Sequence, residues 1–151
     1  MVKRGAWESF FSRHSRIGID TNVFIYCVED HARYGGACSS LLARIAEGRV
    51  EAVTATVTFL EMMVAPYRRG DEALAAKVYA LLSTHPGILW GELTLEIANR
   101  AAALRARHRL GTADAIQLAT ALSLGATGFI GNDRALRRAT EIETLLLDEV
   151  V

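Results

Sequence analysis

The stretch RIGIDTNVFIY, residues 16–26, decides the fold class. Its first part is a short apolar run that ends in an acid, Asp20, and such a run is typical of a buried strand in a parallel sheet. Its second part, from Asn22 to about Val28, is expected to continue as a short helix. A buried strand that leads directly into a helix predicts a β/α unit at the start of the domain.

The same alternation of apolar runs and helical patterns continues along the chain. Alternating strands and helices imply parallel strands joined by right-handed crossovers. We therefore predict an α/β fold in three layers, with a central parallel sheet of about five strands flanked by helices. The strands are predicted at residues 16–20, 50–54, 88–90, 127–131 and 144–147.

The amino-terminal segment, residues 1–15, is basic, with Trp7, Phe10 and Phe11 among the charges. It lacks the apolar core of about 7–15 residues that a secretory signal needs. We expect either an exposed amphipathic extension or a start site placed too far upstream. The domain itself is predicted over residues 16–151.

Composition narrows the class of protein. The chain has 151 residues, of which 51% are hydrophobic and 23% charged, as in an ordinary globular domain and unlike a disordered chain or a coiled coil. Seventeen basic residues balance seventeen acidic ones, so a polyanion would have to be held by local positive patches. Apolar runs stay well below ~18 residues, which argues against membrane insertion. Cys27 and Cys38 form no disulfide framework, and we expect a cytoplasmic protein.

Four carboxylates lie where an α/β sheet binds its ligands, beyond the carboxyl ends of the strands. Asp20 ends the first predicted strand, and Asp133 follows the fourth. Glu61 lies one turn into the helix after the second strand, and Asp114 lies in the first turn of the helix that Thr112 begins. If the strand order reverses near the middle of the sheet, the first and fourth strands are neighbours.

Each of these acids also has a structural interpretation. Asp20 can cap the helix that follows it, and Asn132 or Asp133 can cap the last helix. Thr58 and Glu61 have the spacing of a capping box, and Asp114 can interact with the helix dipole.

Together, however, four acids at one edge point to a cation site. Two carboxylates ~5 Å apart repel by roughly 3 kcal/mol at an effective dielectric of ~20, and Arg134 is the only base directly beside any of them. Such a cluster tends to bind a cation, and all-oxygen ligands favour Mg²⁺ or Mn²⁺. A metal-acidified water could then attack a phosphodiester. The sequence shows no zinc spacing, since the histidines are scattered.

The residues around the four acids resemble the motifs of a known family. Residues 17–26, 58–61, 111–121 and 129–133 resemble, in order, the four motifs of PIN-domain nucleases, and in particular of VapC-type toxins. The similarity covers about residues 16–148. One departure is Gly131, which stands where the family often has Thr or Ser.

This resemblance implies a PIN fold and an endoribonuclease that depends on Mg²⁺ or Mn²⁺. It also implies a VapB-type antitoxin as partner, whose tail covers the site, and a homodimer. For exposed apolar contacts with such partners, the sequence offers Tyr26, Met62, Met63 and Tyr67 as candidates. By motif position, the acids that bind metal and act in catalysis are Asp20, Glu61, Asp114 and Asp133, and the supporting polar residues are Asn22, Thr58 and Asn132.

The substrate would be RNA, and Arg134 is the best candidate to contact its phosphates, because it directly follows Asp133. Three alternatives remain open at this point. The chain could be a PIN nuclease that is not a toxin and processes RNA or cuts structured DNA. It could be a module that binds RNA or protein without cleavage. It could also be a phosphatase of the haloacid dehalogenase type with Asp20 as nucleophile, although Asn22 stands where that class needs a second acid.

Overall fold

A computed structural model describes residues 3–151. It contains a sheet of five strands, seven α-helices and two 3₁₀ turns, at Arg134–Arg138 and Leu147–Glu149. The strands are β1 (Arg16–Ile19), β2 (Glu51–Ala55), β3 (Ile88–Gly91), β4 (Gly128–Gly131) and β5 (Glu143–Leu146). The helices are α1 (Arg4–Arg13), α2 (Thr21–Val28), α3 (Gly35–Ala46), α4 (Thr56–Arg68), α5 (Glu72–Thr84), α6 (Leu95–His108) and α7 (Thr112–Ser123).

All strand pairs are parallel, and the strand order is β3-β2-β1-β4-β5. Strand β1 lies at the centre, where Gly18 pairs with Val53 on one side and Phe129 on the other. The predicted α/β class is confirmed, and β1 and β4 are neighbours. The order of strands reverses between them, which places a topological switch point beyond their carboxyl ends.

The sheet separates two apolar cores. On one face, Ile17 and Ile19 pack with residues of α1 to α5. On the other, Leu118 and Phe129 pack with α6 and α7. A side chain at Gly18 would place its Cβ 2.4 Å from Phe129 Cδ2, so this glycine lets the second layer sit close against the central strand.

One local prediction differs from the structure. The capping box of Thr58 and Glu61 does not form, because α4 begins at Thr56 and its cap position is Ala55. Thr58 is therefore inside the first turn, where its side chain turns to the protein interior.

Helix α1 packs against the domain and is not the exposed extension that we expected. Trp7 and Phe10 are buried in the first core. Trp7 stacks on Phe11 with ring centroids 5.3 Å apart. After the helix, the His14 ring contacts Thr127 Oγ1 at 2.9 Å and Glu143 Oε2 at 2.7 Å. The helix thus shares the core and the hydrogen bonds of the sheet.

Within residues 3–151, every helix is too short or too polar to cross a membrane.

Candidate active site

The fold brings the four predicted acids to the carboxyl edge of the sheet. Asp20 directly follows β1, Asp133 lies two residues after β4, Glu61 lies in α4 after β2, and Asp114 lies in the first turn of α7. They are close enough that the carboxylates of Asp114, Glu61 and Asp133 all act on the pKa of Asp20. The four acids thus lie at one edge of the sheet, within electrostatic range of Asp20.

Asp20 is the buried member of the group, with 7% of its surface exposed. Its backbone N–H donates to Ile130 O on β4 at 3.0 Å, and its Oδ1 accepts from Thr21 N–H at 2.9 Å. Burial is the main reason why its pKa rises from 3.8 to about 7. The Asp114 carboxylate raises it further, whereas the Thr21 N–H opposes the rise. Asp20 therefore caps α2, and the neighbouring carboxylates destabilise its charged form.

The other three acids are more open to solvent. Burial raises the pKa of both Glu61 and Asp114, and each also feels a neighbouring carboxylate: that of Asp114 for Glu61, and that of Asp133 for Asp114. A hydrogen bond from the Thr21 side chain lowers the pKa of Glu61. Asp133 Oδ1 accepts from Ala135 N–H at 2.8 Å and caps the first 3₁₀ turn. The predicted capping roles of Asp20 and Asp133 thus coexist with the cluster.

Gly131 departs from the family pattern, and the reason is steric. A Cβ at this position would lie 3.2 Å from Asp20 Cβ, 3.3 Å from Asp20 Oδ2 and 2.5 Å from Leu136 Cδ1. In this chain the absent side chain leaves room for the Asp20 carboxyl group against the end of β4.

The donor set suits a hard divalent cation. Within residues 3–151, none of the four carboxylates makes a salt bridge, so their charges are not neutralised by a basic side chain. No three acidic, histidine or cysteine side chains in the same range converge into a ready coordination group. Mg²⁺ commonly binds through only one or two carboxylates and keeps several waters. The cluster fits this open mode of binding and not a closed cage.

A buried polar network lies beside the acids, on the side of the protein interior. Thr54 Oγ1 donates to Ile19 O at 3.0 Å and lies 2.7 Å from Thr58 Oγ1. Thr21 Oγ1 donates to Thr58 Oγ1 at 3.2 Å, and the Gln117 amide contacts both threonines. Thr58 thus lies beside the acids, where the resemblance expects a supporting residue.

Sequence reasoning missed Gln117. The only signal was a long polar side chain on the buried side of an alanine-rich helix, three residues after Asp114. Hydrophobic periodicity and helix propensity do not show which residues such a side chain contacts.

The remaining predicted residues are less closely tied to the cluster. Asn22 is half-buried in the first turn of α2. Asn132 Oδ1 accepts from Asp148 N–H at 3.2 Å and holds the turn that follows β5. Arg134 is exposed and makes no salt bridge to any residue in the range 3–151, whereas Arg137, on the same turn, pairs with Glu149.

Comparison with known families shows which protein family the chain belongs to. A family model described as PIN domain matches residues 17–142. This chain is a PIN-domain protein. The match confirms the resemblance that the four motifs carry, and it spans all four acids. Because PIN domains are nucleases, it supports a nuclease as the general class of activity.

Solved structures share this PIN fold. VapBC2 from Rickettsia felis, bound to a DNA fragment from its promoter, aligns with a TM-score of 0.70 and 11% identity over 87% of this chain and 98% of that chain. A toxin-antitoxin complex from Klebsiella pneumoniae aligns with a TM-score of 0.65 and 22% identity, over 85% and 95%. VapBC-1 from nontypeable Haemophilus influenzae gives 0.63 and 19%, over 88% and 98%. At these identities the likeness shows the fold. No curated protein matches the chain.

Proposed function

We propose that this PIN domain is an endoribonuclease that depends on Mg²⁺ or Mn²⁺, and that it is the toxin of a VapBC-type pair. The observation that carries the proposal is the buried Asp20 at the switch point of the sheet, crowded by three further carboxylates with no basic partner among residues 3–151. A fold gains no stability from such an arrangement, because like charges repel and burial penalises the charged form. A role in binding a cation accounts for it.

Asp20, Glu61, Asp114 and Asp133 are the residues that would hold the ion. When bound, a divalent ion supplies an acidified water and stabilises charge on the phosphate. The protein's own part is to keep these carboxylates at one edge, with Asp20 the most firmly held of them. We expect Arg134 to contact the phosphates of RNA, because it directly follows Asp133 and is exposed and free of salt bridges within residues 3–151.

The proposed partner chains, an antitoxin and a second copy of the toxin, need an exposed apolar surface. Helix α4 has one: Leu60, Val64 and Tyr67 follow each other at helical spacing and are 61%, 37% and 67% exposed. Leu60 directly precedes Glu61, so a chain docked on this stripe would flank the acids. Of the other sequence candidates for such contacts, Met62 and Met63 are buried in the core and Tyr26 is half-buried.

The test is cleavage of end-labelled RNA by the purified protein with Mn²⁺ or Mg²⁺, with and without EDTA. Asp20→Asn should lower the rate at least about 100-fold, comparable to loss of a key electrostatic group. Asp71→Asn is the matched control, because Asp71 only caps α5 and should leave cleavage unchanged. Cleavage that persists in EDTA or in the Asp20→Asn variant would refute a metal nuclease built on Asp20. Absence of cleavage by folded wild type across diverse RNAs would favour a binding module.

A further inference from the structure

Gln117 occupies an unusual place for a polar residue. It lies on α7, three residues after Asp114, and is 2% exposed among apolar neighbours such as Leu118 and Ala119. An unsatisfied buried amide would destabilise the fold. Its hydrogen bonds therefore explain how the fold tolerates this buried amide.

Every polar group of the Gln117 side chain has a partner. Oε1 accepts from the backbone N–H of Ala55, the cap residue of α4, at 3.2 Å. Nε2 donates to Thr58 Oγ1 at 2.5 Å and to Thr21 Oγ1 at 3.2 Å. Since the Ala55 N–H can only donate, the amide oxygen must face it, and the orientation of the amide is set. Gln117 thus joins α7 to the end of β2 and to the starts of α4 and α2.

The same hydrogen bonds determine which acceptor each threonine hydroxyl group donates to. Thr54 donates its one hydroxyl hydrogen to Ile19 O, so in its contact with Thr58 it accepts. Thr58 consequently donates to Thr54 and receives a hydrogen from Gln117. The Thr21 hydroxyl also accepts from Gln117 and donates to Thr58, so the same amide holds both threonines beside the acids.

We propose that Gln117 is a positioning residue of the acidic edge: by donating to Thr58 and Thr21, it holds Thr21 so that its backbone N–H orients Asp20. Gln117 touches neither ion nor RNA, and it acts through Thr21. This inference rests on the proposed function, since it assigns Gln117 to the site that would bind the divalent ion.

The test measures Mn²⁺ affinity directly, from the electron paramagnetic resonance signal of free Mn²⁺, alongside thermal unfolding. Gln117→Met keeps the volume of the side chain and removes its hydrogen bonds. We expect it to weaken Mn²⁺ binding about 10-fold, as is typical when a group that orients a metal ligand is lost. In RNA cleavage at saturating RNA, kcat should fall with little change in KM for RNA.

Thr120→Val is the matched control. Thr120 lies on the same helix, is equally buried, and donates its hydroxyl to Ile116 O within the helix, away from the acids. The control should lose stability but keep the Mn²⁺ affinity of the wild type. If Gln117→Met also binds Mn²⁺ like the wild type, the proposal is wrong and Gln117 is merely structural.

Thr21→Val keeps the proposal testable even if Gln117→Met folds poorly, and a double-mutant cycle extends the test where both variants fold. Thr21→Val alone should weaken Mn²⁺ binding, and a wild-type affinity in this variant would overturn the proposal. Adding Gln117→Met should then cause little further loss, because both changes remove one pathway, and fully additive losses would contradict action through Thr21. A wild type that binds no Mn²⁺ would instead overturn the proposed function, and this inference with it.

Discussion

At the scale of single residues, the protonation of Asp20 links the carboxylate cluster to the free energy of unfolding. The pKa of Asp20 rises from 3.8 to about 7 in the folded protein, mainly through burial. The unfolded chain releases this proton near pH 3.8, so the folded state binds more protons between these two values. The free energy of unfolding of the ion-free protein therefore falls as the pH rises through this window.

Asp20→Asn should remove this loss of stability at high pH, because an amide does not ionise. In EDTA at pH 8 we expect the variant to be more stable than the wild type by on the order of 1–3 kcal/mol, or roughly 5 °C in Tm. At pH 4 the two proteins should differ little. Thermal unfolding at both pH values measures this, with Asp71→Asn as control. Equal Tm values at pH 8 would show that the acids do not strain the fold.

Gly131→Ala tests the space that Asp20 occupies. The new Cβ would crowd the Asp20 carboxyl group and Leu136, and overpacking of this kind costs about 1–3 kcal/mol. We expect lower stability in urea unfolding and weaker Mn²⁺ binding. Gly36→Ala is the control, since a Cβ there meets nothing within 4 Å and alanine favours the helix by about 0.5–1 kcal/mol. A Gly131→Ala variant that binds Mn²⁺ normally would show that Asp20 has room to shift.

Arg134→Ala is expected to weaken RNA binding and to flatten its dependence on salt. Loss of one phosphate contact lowers the slope of log K against log salt by about 0.7 for a single strand. Arg49→Ala is a suitable control, because Arg49 precedes β2 at the amino edge of the sheet and pairs with Glu47. Binding titrations at several salt concentrations measure the slope. An unchanged slope for Arg134→Ala would remove its proposed contact with phosphate.

At the scale of elements, the sequence predicted the order and type of nearly every strand and helix, because hydrophobic period and glycine positions are local signals. The predicted bounds of β2 are one residue too early, and those of β5 one too late. A capping box of Thr58 and Glu61 would start α4 at Thr58, whereas the helix begins at Thr56 without a side-chain cap.

The acids were predictable because each lies next to a strand end or a helix start. The role of Gln117 was not, since its partners Thr21, Ala55 and Thr58 come from two segments of the chain that are distant from Gln117 in sequence. Their proximity is a product of the sheet order and leaves no local pattern. The packing of α1 was missed for the same reason: its aromatic residues meet a surface that only the folded sheet creates.

Helix α1 gives a prediction at this scale. Trp7 is buried in the core, yet within residues 3–151 its indole N–H has no hydrogen-bond partner. Trp7→Phe removes that unsatisfied group together with a little volume, and should change stability by less than about 1 kcal/mol. Trp7→Ala leaves a cavity and should cost about 3–5 kcal/mol. Urea unfolding separates the two variants, and equal losses would mean that the helix is not held by this packing.

At the scale of the whole molecule, Glu143 connects α1 to β5 at the edge of the sheet. Arg13 and His14 donate to its carboxyl group, and these hydrogen bonds lower its pKa to about 2. The contribution to stability is complete above the ordinary pKa of 4.5 and is lost as the pH falls from there towards 2.

Glu143→Gln should therefore destabilise the protein at pH 6, by about 1 kcal/mol or less, because the pair is exposed and screened. Between pH 4.5 and 2 the variant should lose less stability than the wild type. Urea unfolding at pH 6 and pH 3 measures both effects, and repetition in 1 M salt checks the ionic origin. Parallel pH profiles for the two proteins would exclude a stabilising role for this carboxyl group.

The central position of β1 has a consequence for how the protein is made. The strand order places the first strand between the second and the fourth, so the acids that meet at its end are spread along the chain from Asp20 to Asp133. A ribosome that synthesises this protein holds it next to RNA throughout translation. Until β4 has left the exit tunnel, the growing chain lacks both one of the two neighbours of β1 and the last acid. The cutting site that we propose is therefore absent from every shorter nascent chain.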